Sequence, residues 1–330
     1  LNFTVLVGAP PPPQNRFSSN YVLRKIVKRL GSFIGFACLL TIPWWASSFW
    51  LSEAQTWLTY TLAGLSLKLL SKEVGLISLG HSAWLAIGAY GSALTLQVGG
   101  AWWLSLLIGV SLGAMSGCLM GWTTDRLQGT SLTVSTLVAA LLIQELLLLA
   151  ENWTGGYSGI SVDTPNFLEG STNQHWGYWM SLLALSGAWL CWQQLKESTI
   201  GRCWRASKDS SQAMCLGINP QRARQQALVW SGGIAALSGI LLAWQLQYLS
   251  PEAFPLTLSL EILLIGLLGS SNLWGLLCGQ ALVRFLPQLL ALVRMNLPFS
   301  WQDLPGLEPL VFGLILIYWI WQKPVSYTHL

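Results

Sequence analysis

Ten apolar stretches, 31–51, 54–71, 75–97, 101–122, 130–150, 177–194, 227–249, 257–270, 273–293 and 308–322, take up more than half of the chain. About 20 apolar residues in a helix cross the ~30 Å hydrocarbon core of a bilayer. A helix also satisfies its own backbone hydrogen bonds, which lipid cannot do for it. The stretches therefore predict an all-α, polytopic membrane helical bundle of about ten transmembrane helices. The eighth is short for a full crossing and reads as tilted, broken or partly re-entrant. Composition agrees: 53% of residues are hydrophobic and 9% charged, where soluble domains carry about a quarter charged. Tryptophans near the ends of apolar runs, at Trp44, Trp57, Trp102, Trp122, Trp176 and Trp192, fit interfacial belts.

Lys and Arg set the orientation. The segment before the first span carries Arg16, Arg24, Lys25, Lys28 and Arg29 without an acid, and the 195–225 loop carries Lys196, Arg202, Arg205, Lys208, Arg222 and Arg224. Both are expected on the cytoplasmic side. The 151–176 segment holds Glu151, Asp163 and Glu169 and no Lys or Arg, which suits the opposite side. Ten crossings satisfy these placements with both termini cytoplasmic. Residues 1–30, which contain Pro10–Pro13, read as a disordered basic leader. Residues 31–324 form one transmembrane domain with a cytoplasmic loop at 195–225, and 325–330 read as a non-native tail.

Several function classes lack support. A net charge of +4 without a basic stripe gives nucleic acid no surface. The six cysteines form no C-x-x-C pair, so they read as apolar filler. His81, His175 and His329 are not at metal-ligand spacing, and no metal site is expected. There is no phosphate-binding G-x-x-x-x-G-K-[ST] loop, and no nucleophile–base pair that would mark an enzyme. Three charges within spans are singled out because burial in lipid is costly. Lys68 can snorkel to the interface, Glu261 can favour a helix N-terminus, and Glu145, beside Gln144, should face protein or water. Gly109, Gly113, Gly117 and Gly121 recur every four residues. They predict a close-packed face, within one bundle or between subunits.

Four ordered motifs carry a family resemblance. The segment 75–91, with Ser78-Leu-Gly-His81 and Gly88-Ala-Tyr-Gly91, resembles the S-L-G-H-x-x-F-x-x-x-G-A-Y signature of the branched-chain amino-acid/urea ABC permease family, its LivM-like side in particular. Thr154-Gly-Gly-Tyr-Ser-Gly-Ile160 is similar to that family's outer T-G-G-x-x-G-I segment. Gly201-Arg-Cys-Trp-Arg-Ala206 followed by Gly217-Ile-Asn219 looks like its cytoplasmic loop, and 258–275 like its S-I-E…L-G-G-x-G-S-L-W-G block. Trp84 stands where the family usually has Phe, and Leu141 where it often has an acid.

The resemblance implies a permease subunit of an ATP-binding-cassette importer for branched-chain or neutral amino acids or urea. It implies a multi-pass protein of the bacterial inner membrane, without an ATPase site or cofactor of its own. The implied partners are a second homologous permease, two ABC ATPase subunits that bind ATP, a periplasmic solute-binding protein and membrane lipid. Ser78, Gly80, His81, Gly88, Gly91, Glu145 and Glu261 become candidates for the substrate path. Its glycines would leave room there, and Ser78 and His81 would supply polar groups or else bond to neighbouring helices. Thr154, Gly155, Gly156 and Gly159 become the outer turn. Gly201, Arg202, Arg205, Ala206, Asp209, Gly217, Ile218 and Asn219 become the ATPase-coupling loop, in which Ser207–Leu216 reads as a short amphipathic helix ended by Gly217. The forked guanidinium groups of Arg202 and Arg205 are expected to orient that loop. A stand-alone secondary carrier or channel for small polar solutes is the alternative reading.

Overall fold

The computed structural model describes residues 39–124, 127, 130–163, 173–269 and 272–295, with helical residues at 310–311, 313–314 and 317–318. The leader, residues 31–38 of the first expected span, Glu169, Ser270, His329, most of the span at 308–322 and the tail lie outside them.

Residues 39–45 are helical, and Ala46 and Ser47 interrupt the first expected span. The chain divides into two compact units after Ala46. The second unit begins with α1 (Ser48–Leu69), which runs into a π-turn at Leu70–Val74. Then come α2 (His81–Gln97), α3 (Trp102–Thr123), α4 (Thr130–Leu149), α5 (Asn173–Glu197), α6 (Thr199–Ala206), α7 (Ser210–Cys215), α8 (Pro220–Leu246), α9 (Leu256–Leu268) and α10 (Leu273–Met295). Strands β1 (Ile160–Ser161) and β2 (Tyr248–Leu249) pair antiparallel.

Among the described residues, four segments are long and apolar enough to cross a membrane: Trp102–Thr123, Ser131–Leu149, Pro220–Leu246 and Pro251–Leu268. The chain is thus an all-α, multi-pass membrane protein. In the last of the four, α9 proper has 13 residues. That is about 20 Å of helix, with a 3₁₀ turn at Pro251–Ala253 before it.

The core forms around α8, which packs most extensively on α3, then on α2 and α1. The glycine ladder explains the first contact. On α3 only Ser105, Gly109, Gly113, Gly117 and Gly121 are buried, and the other faces are exposed or half-buried. A Cβ on Gly109 would stand 2.7 Å from Ile240 Cδ1 and 2.8 Å from the Gly88 carbonyl. One on Gly113 would stand 2.7 Å from the Gly232 carbonyl and would also meet the Ala236 methyl. One on Gly117 would meet the Leu228 carbonyl. The ladder therefore lets two backbones of this chain approach, which is how helices gain contact in lipid.

Two expectations about apolar residues change. Trp192 is not in an interfacial belt; it is buried in α5, with the Lys72 ammonium 5.5 Å from its ring. Among the described residues the cysteines are not in the core either: Cys118, Cys215 and Cys278 are exposed, and Cys191 and Cys203 are half-buried.

Candidate functional site

The third expected span is broken at its start. Residues 75–80 are not helical, and α2 begins only at His81. Gly75 takes a left-handed φ of 77° to leave the π-turn. Leaving the helix strips 75–80 of internal hydrogen bonds, and α4 supplies replacements. Thr133 Oγ1 donates to the Ile77 carbonyl at 2.9 Å, and the Leu79 N–H donates to Thr136 Oγ1 at 3.0 Å. Irregular backbone at membrane depth needs such protein partners. Gly80 packs against α4 so closely that a Cβ would lie 2.6 Å from the Thr136 carbonyl.

The seven candidate path residues do not form one lining. Gly88 and Gly91 leave no open room, because α8 and α3 fill the space. A Cβ on Gly88 would strike the Ala236 carbonyl, and one on Gly91 would lie 2.7 Å from Leu112 Cδ1. The Ser78 hydroxyl accepts from the Gly80 N–H at 3.2 Å. His81 is fully buried, with Nε2 3.2 Å from Ser231 Oγ, and that hydroxyl donates to the Ser66 carbonyl at 3.0 Å. These two polar groups bond inward, to their own segment and to neighbouring helices. Glu145 lies on an exposed face of α4, and Glu261, in the second turn of α9, is half-buried. Of the seven, only Gly80 lines the cleft of about 370 Å³ between α2, α3 and α4. Trp84, Ser116, Thr124, Ser135 and Thr136 share its mostly apolar wall.

The loop between α5 and α8 is built from caps. Ser198 caps α6 by accepting from the Gly201 N–H at 3.4 Å. A Cβ on Gly201 would lie 2.6 Å from Lys196 Cα, so glycine permits the tight turn out of α5. Asp209 caps α7, accepting from the N–H groups of Ser211 at 3.0 Å and Gln212 at 3.3 Å. The Ser211 hydroxyl first, and then the Gln212 N–H, hold the Asp209 carboxyl below its usual range. The cap is therefore present at neutral pH and is lost as the pH falls through that lowered value.

Gly217, at φ 71°, ends α7. The Ile218 N–H reaches the Ala213 carbonyl at 2.9 Å and the Gly217 N–H reaches Met214 at 3.0 Å, the paired bonds of a Schellman motif. Asn219 then caps α8, accepting from Gln221 at 3.0 Å and Arg222 at 3.2 Å, with Pro220 in the first turn. The expected helix over Ser207–Leu216 is thus shorter, α7 alone, because the chain turns at Ser207–Asp209 and the helix starts only after the Asp209 cap; α6 ends before it, at Ala206. Met214, Cys215 and Leu216 stand exposed around the end of α7.

The two arginines bond within and beside the loop, each in its own way. Arg205 uses one nitrogen, Nη1, for both the Glu73 carboxylate at 3.1 Å and the Lys196 carbonyl at 2.9 Å. It makes no two-nitrogen fork on the carboxylate. Arg202 stays local, on the Glu197 carbonyl at 3.3 Å and Thr199 Oγ1 at 3.0 Å, and Ala206 ends α6.

The Thr154–Ile160 segment is a turn locked by glycines. Gly155, Gly156 and Gly159 all take positive φ. Thr154 Oγ1 donates to the Leu147 carbonyl at 2.6 Å and the Ala150 carbonyl at 3.0 Å. The turn leads into β1, and Tyr248 of the paired strand β2 donates its hydroxyl to the Ser158 carbonyl at 2.7 Å.

Sequence reasoning missed the roles of Glu73, Lys68, Arg284, Thr133 and Thr136. Glu73 sits in an apolar context with no motif around it. Lys68 does not snorkel; its ammonium donates at 2.8 Å to the carbonyls of Gly266 and Gly269, capping α9. Arg284, inside span 273–293, pairs with Glu53 at 3.0 Å. Thr133 and Thr136 look like ordinary helix residues. Only the unexplained charges Glu73 and Arg284 could have drawn attention, since a charge near lipid needs a partner.

The comparisons with known proteins converge. The family model described as branched-chain amino acid transport system / permease component matches residues 52–320. The high-affinity branched-chain amino acid transport system permease protein LivM of Escherichia coli is 28% identical over 290 residues, 80% of this chain and 66% of that protein. The autoinducer 2 import system permease protein LsrC of Salmonella paratyphi B is 30% identical over 230 residues, 64% of this chain and 59% of that protein. Its counterpart from Yersinia pseudotuberculosis is 29% identical over 267 residues, 77% and 70% of the two chains. The chain thus spans just under two thirds of the length of LivM. No solved structure matches.

Proposed function

Because the chain belongs to the branched-chain amino acid transport system permease family, we propose that it is the membrane-spanning subunit of an ATP-driven importer. In this reading a solute-binding protein delivers solute on the side of the Thr154–Ile160 turn. A second, homologous permease completes the path. Two ATPase subunits dock on the α6–α7 loop, supply ATP binding and hydrolysis, and bias the permease between outward and inward states. Branched-chain and other neutral amino acids are the leading solutes and urea follows. Among the relatives described, the broadest match, 80% of this chain, is to the amino acid permease, against 64% and 77% for the two named for autoinducer 2.

The observation that carries this reading is the loop itself. The Asp209 cap and the left-handed Gly217 fix both ends of a six-residue helix, and Ser198 and Asn219 cap the helices on either side, while Met214, Cys215 and Leu216 are left exposed. A solvated connector needs neither that rigidity nor exposed apolar groups. The experiment is reconstitution of the chain with a second permease, ATPase and binding protein from its own source, followed by uptake of leucine, alanine and urea. ATP-dependent accumulation of one of these is expected, and lost if the ATPase is omitted. Failure of the ATPase to co-purify, or uptake that ignores ATP, sinks the proposal.

A further inference from the structure

Among the described residues, Glu73 is the one buried carboxylate, and it lies outside the four motifs. Its side chain is 3% exposed, and it sits on the π-turn one residue before Val74 and the left-handed Gly75. The nearby charges on every facing element are basic. Arg205 on α6 contacts it directly. Lys72 precedes it, just past the end of the expected span. Burial pushes the Lys72 ammonium below its usual range; Glu73 opposes that, and Lys196, Lys208 and Arg205 add to it. The Lys208 stem lies 3.6 Å from where a Gly75 Cβ would be, so the α6–α7 junction touches the hinge at a second point. From Gly75 the chain continues directly into 76–80, which Thr133 and Thr136 tie to α4, and then to Gly80 on the wall of the cleft.

We propose that the Arg205–Glu73 pair is the positioning link through which movement of the α6–α7 loop reaches the broken segment 75–80 and the cleft beside it. The inference deepens the importer reading and rests on it for the source of the movement. A buried carboxylate needs its cation, because a charge left unpaired in the interior is strongly disfavoured. When α6 shifts, Glu73 follows or loses its partner. The π-turn and Gly75 are the places where the backbone can yield, and the hydrogen bonds to Thr133 and Thr136 carry the shift into α4. Arg205 also holds the Lys196 carbonyl, so α5, α6 and the π-turn meet on one guanidinium nitrogen.

The test uses the whole permease in lipid nanodiscs and its reconstituted complex with ATPase and binding protein. Hydrogen exchange of amides 76–80 is read in the permease, and solute taken up per ATP hydrolysed is read in the complex. Glu73→Gln is expected to speed exchange at 76–80 about tenfold by loosening the local fold. It should cut uptake per ATP about tenfold while ATPase subunits remain bound. Adding Arg205→Gln to Glu73→Gln should cause far less than the product of the two single losses, as for residues that share a contact, the remainder coming from the Lys196 carbonyl. Arg205→Lys should keep the wild-type ratio within about twofold, since one ammonium can replace the single Nη1 donor. Unchanged exchange and unchanged uptake per ATP in Glu73→Gln, or losses that multiply in the double variant, overturn the link. If Glu73→Gln inserts poorly, Arg205→Gln alone carries both measurements, because its side chain is 44% exposed. Faster exchange in the variants together with no ATP-driven uptake by the unaltered chain supports the link and overturns the importer reading instead.

Discussion

Gly217 holds φ at 71° so that Gly217 and Ile218 can return their N–H groups to α7. A β-branched residue in that conformation costs roughly 1–2 kcal/mol, whereas Asn visits it readily. Gly217→Val should therefore reduce ATPase co-purification severalfold, and Gly217→Asn should leave it near normal. Equal loss in both variants would show that the left-handed turn is not what matters. Asn219→Ala removes the cap of α8 and should destabilise by about 1 kcal/mol, read as a lower unfolding temperature in detergent. Lys68→Met leaves the Gly266 and Gly269 carbonyls without their ammonium donor. A loss of about 1–3 kcal/mol is expected, in the same thermal assay. These residues differ in how readable they are. Gly217 and Asn219 act on neighbours within four positions, so their spacing to α7 and α8 betrays them. Glu73 and Lys68 act on partners 132 and roughly 200 positions away, and no local pattern marks such a bond.

Among the elements, α3 offers the sharpest test. Gly113 and Gly117 meet the backbone of α8, which has no rotamer to change, so the helices must part if a side chain is added. Gly113→Leu or Gly117→Leu should lower folded yield severalfold, by overpacking of about 1–3 kcal/mol or more. Gly187, on α5, has nothing within 4 Å of a Cβ, and Gly187→Ala should be silent in the same assay. The every-fourth spacing made the α3 face legible, but not which helix covers it. The break at 75–80 was not legible at all. Its residues are as apolar as those of the helix that follows, and the hydroxyls of Thr133 and Thr136 that make the irregular path tolerable come from a different element. The same holds for the candidate path: glycines that look like empty space along one strand of sequence are filled by Ala236 and Leu112 from elsewhere.

For the molecule as a whole, ten crossings with both termini cytoplasmic remain the expected topology. Reporter fusions within Lys196–Arg224 and within Thr154–Asn173 should report opposite faces of the membrane, and signals from the same face would overturn it. The contacts already sort in that sense: Arg205 of the basic loop meets Glu73 at the end of α1, while Ile160 of the acidic segment pairs with Leu249 after α8. Hydropathy made the membrane class plain because it sums over the entire chain, and no single misplaced boundary can change it. The number of crossings depends on each boundary, and the interruption at Ala46–Ser47 and the 13-residue α9 show how a span of the right composition can depart from a simple rod.

α8 joins these two sets of contacts. It is 27 residues long, about 40 Å. It begins at the Asn219 cap beside the α6–α7 loop and runs straight into β2. Along its middle, Gly232 and Gly239 are wedged against the backbones of α3 and α2. A rod held there behaves as a lever on a fulcrum. A tilt of about 5° carries each end roughly 2 Å, in opposite directions. The strand pairing and the Tyr248 hydroxyl would pass such a displacement on to the three-glycine turn, because they join the far end of the rod to it.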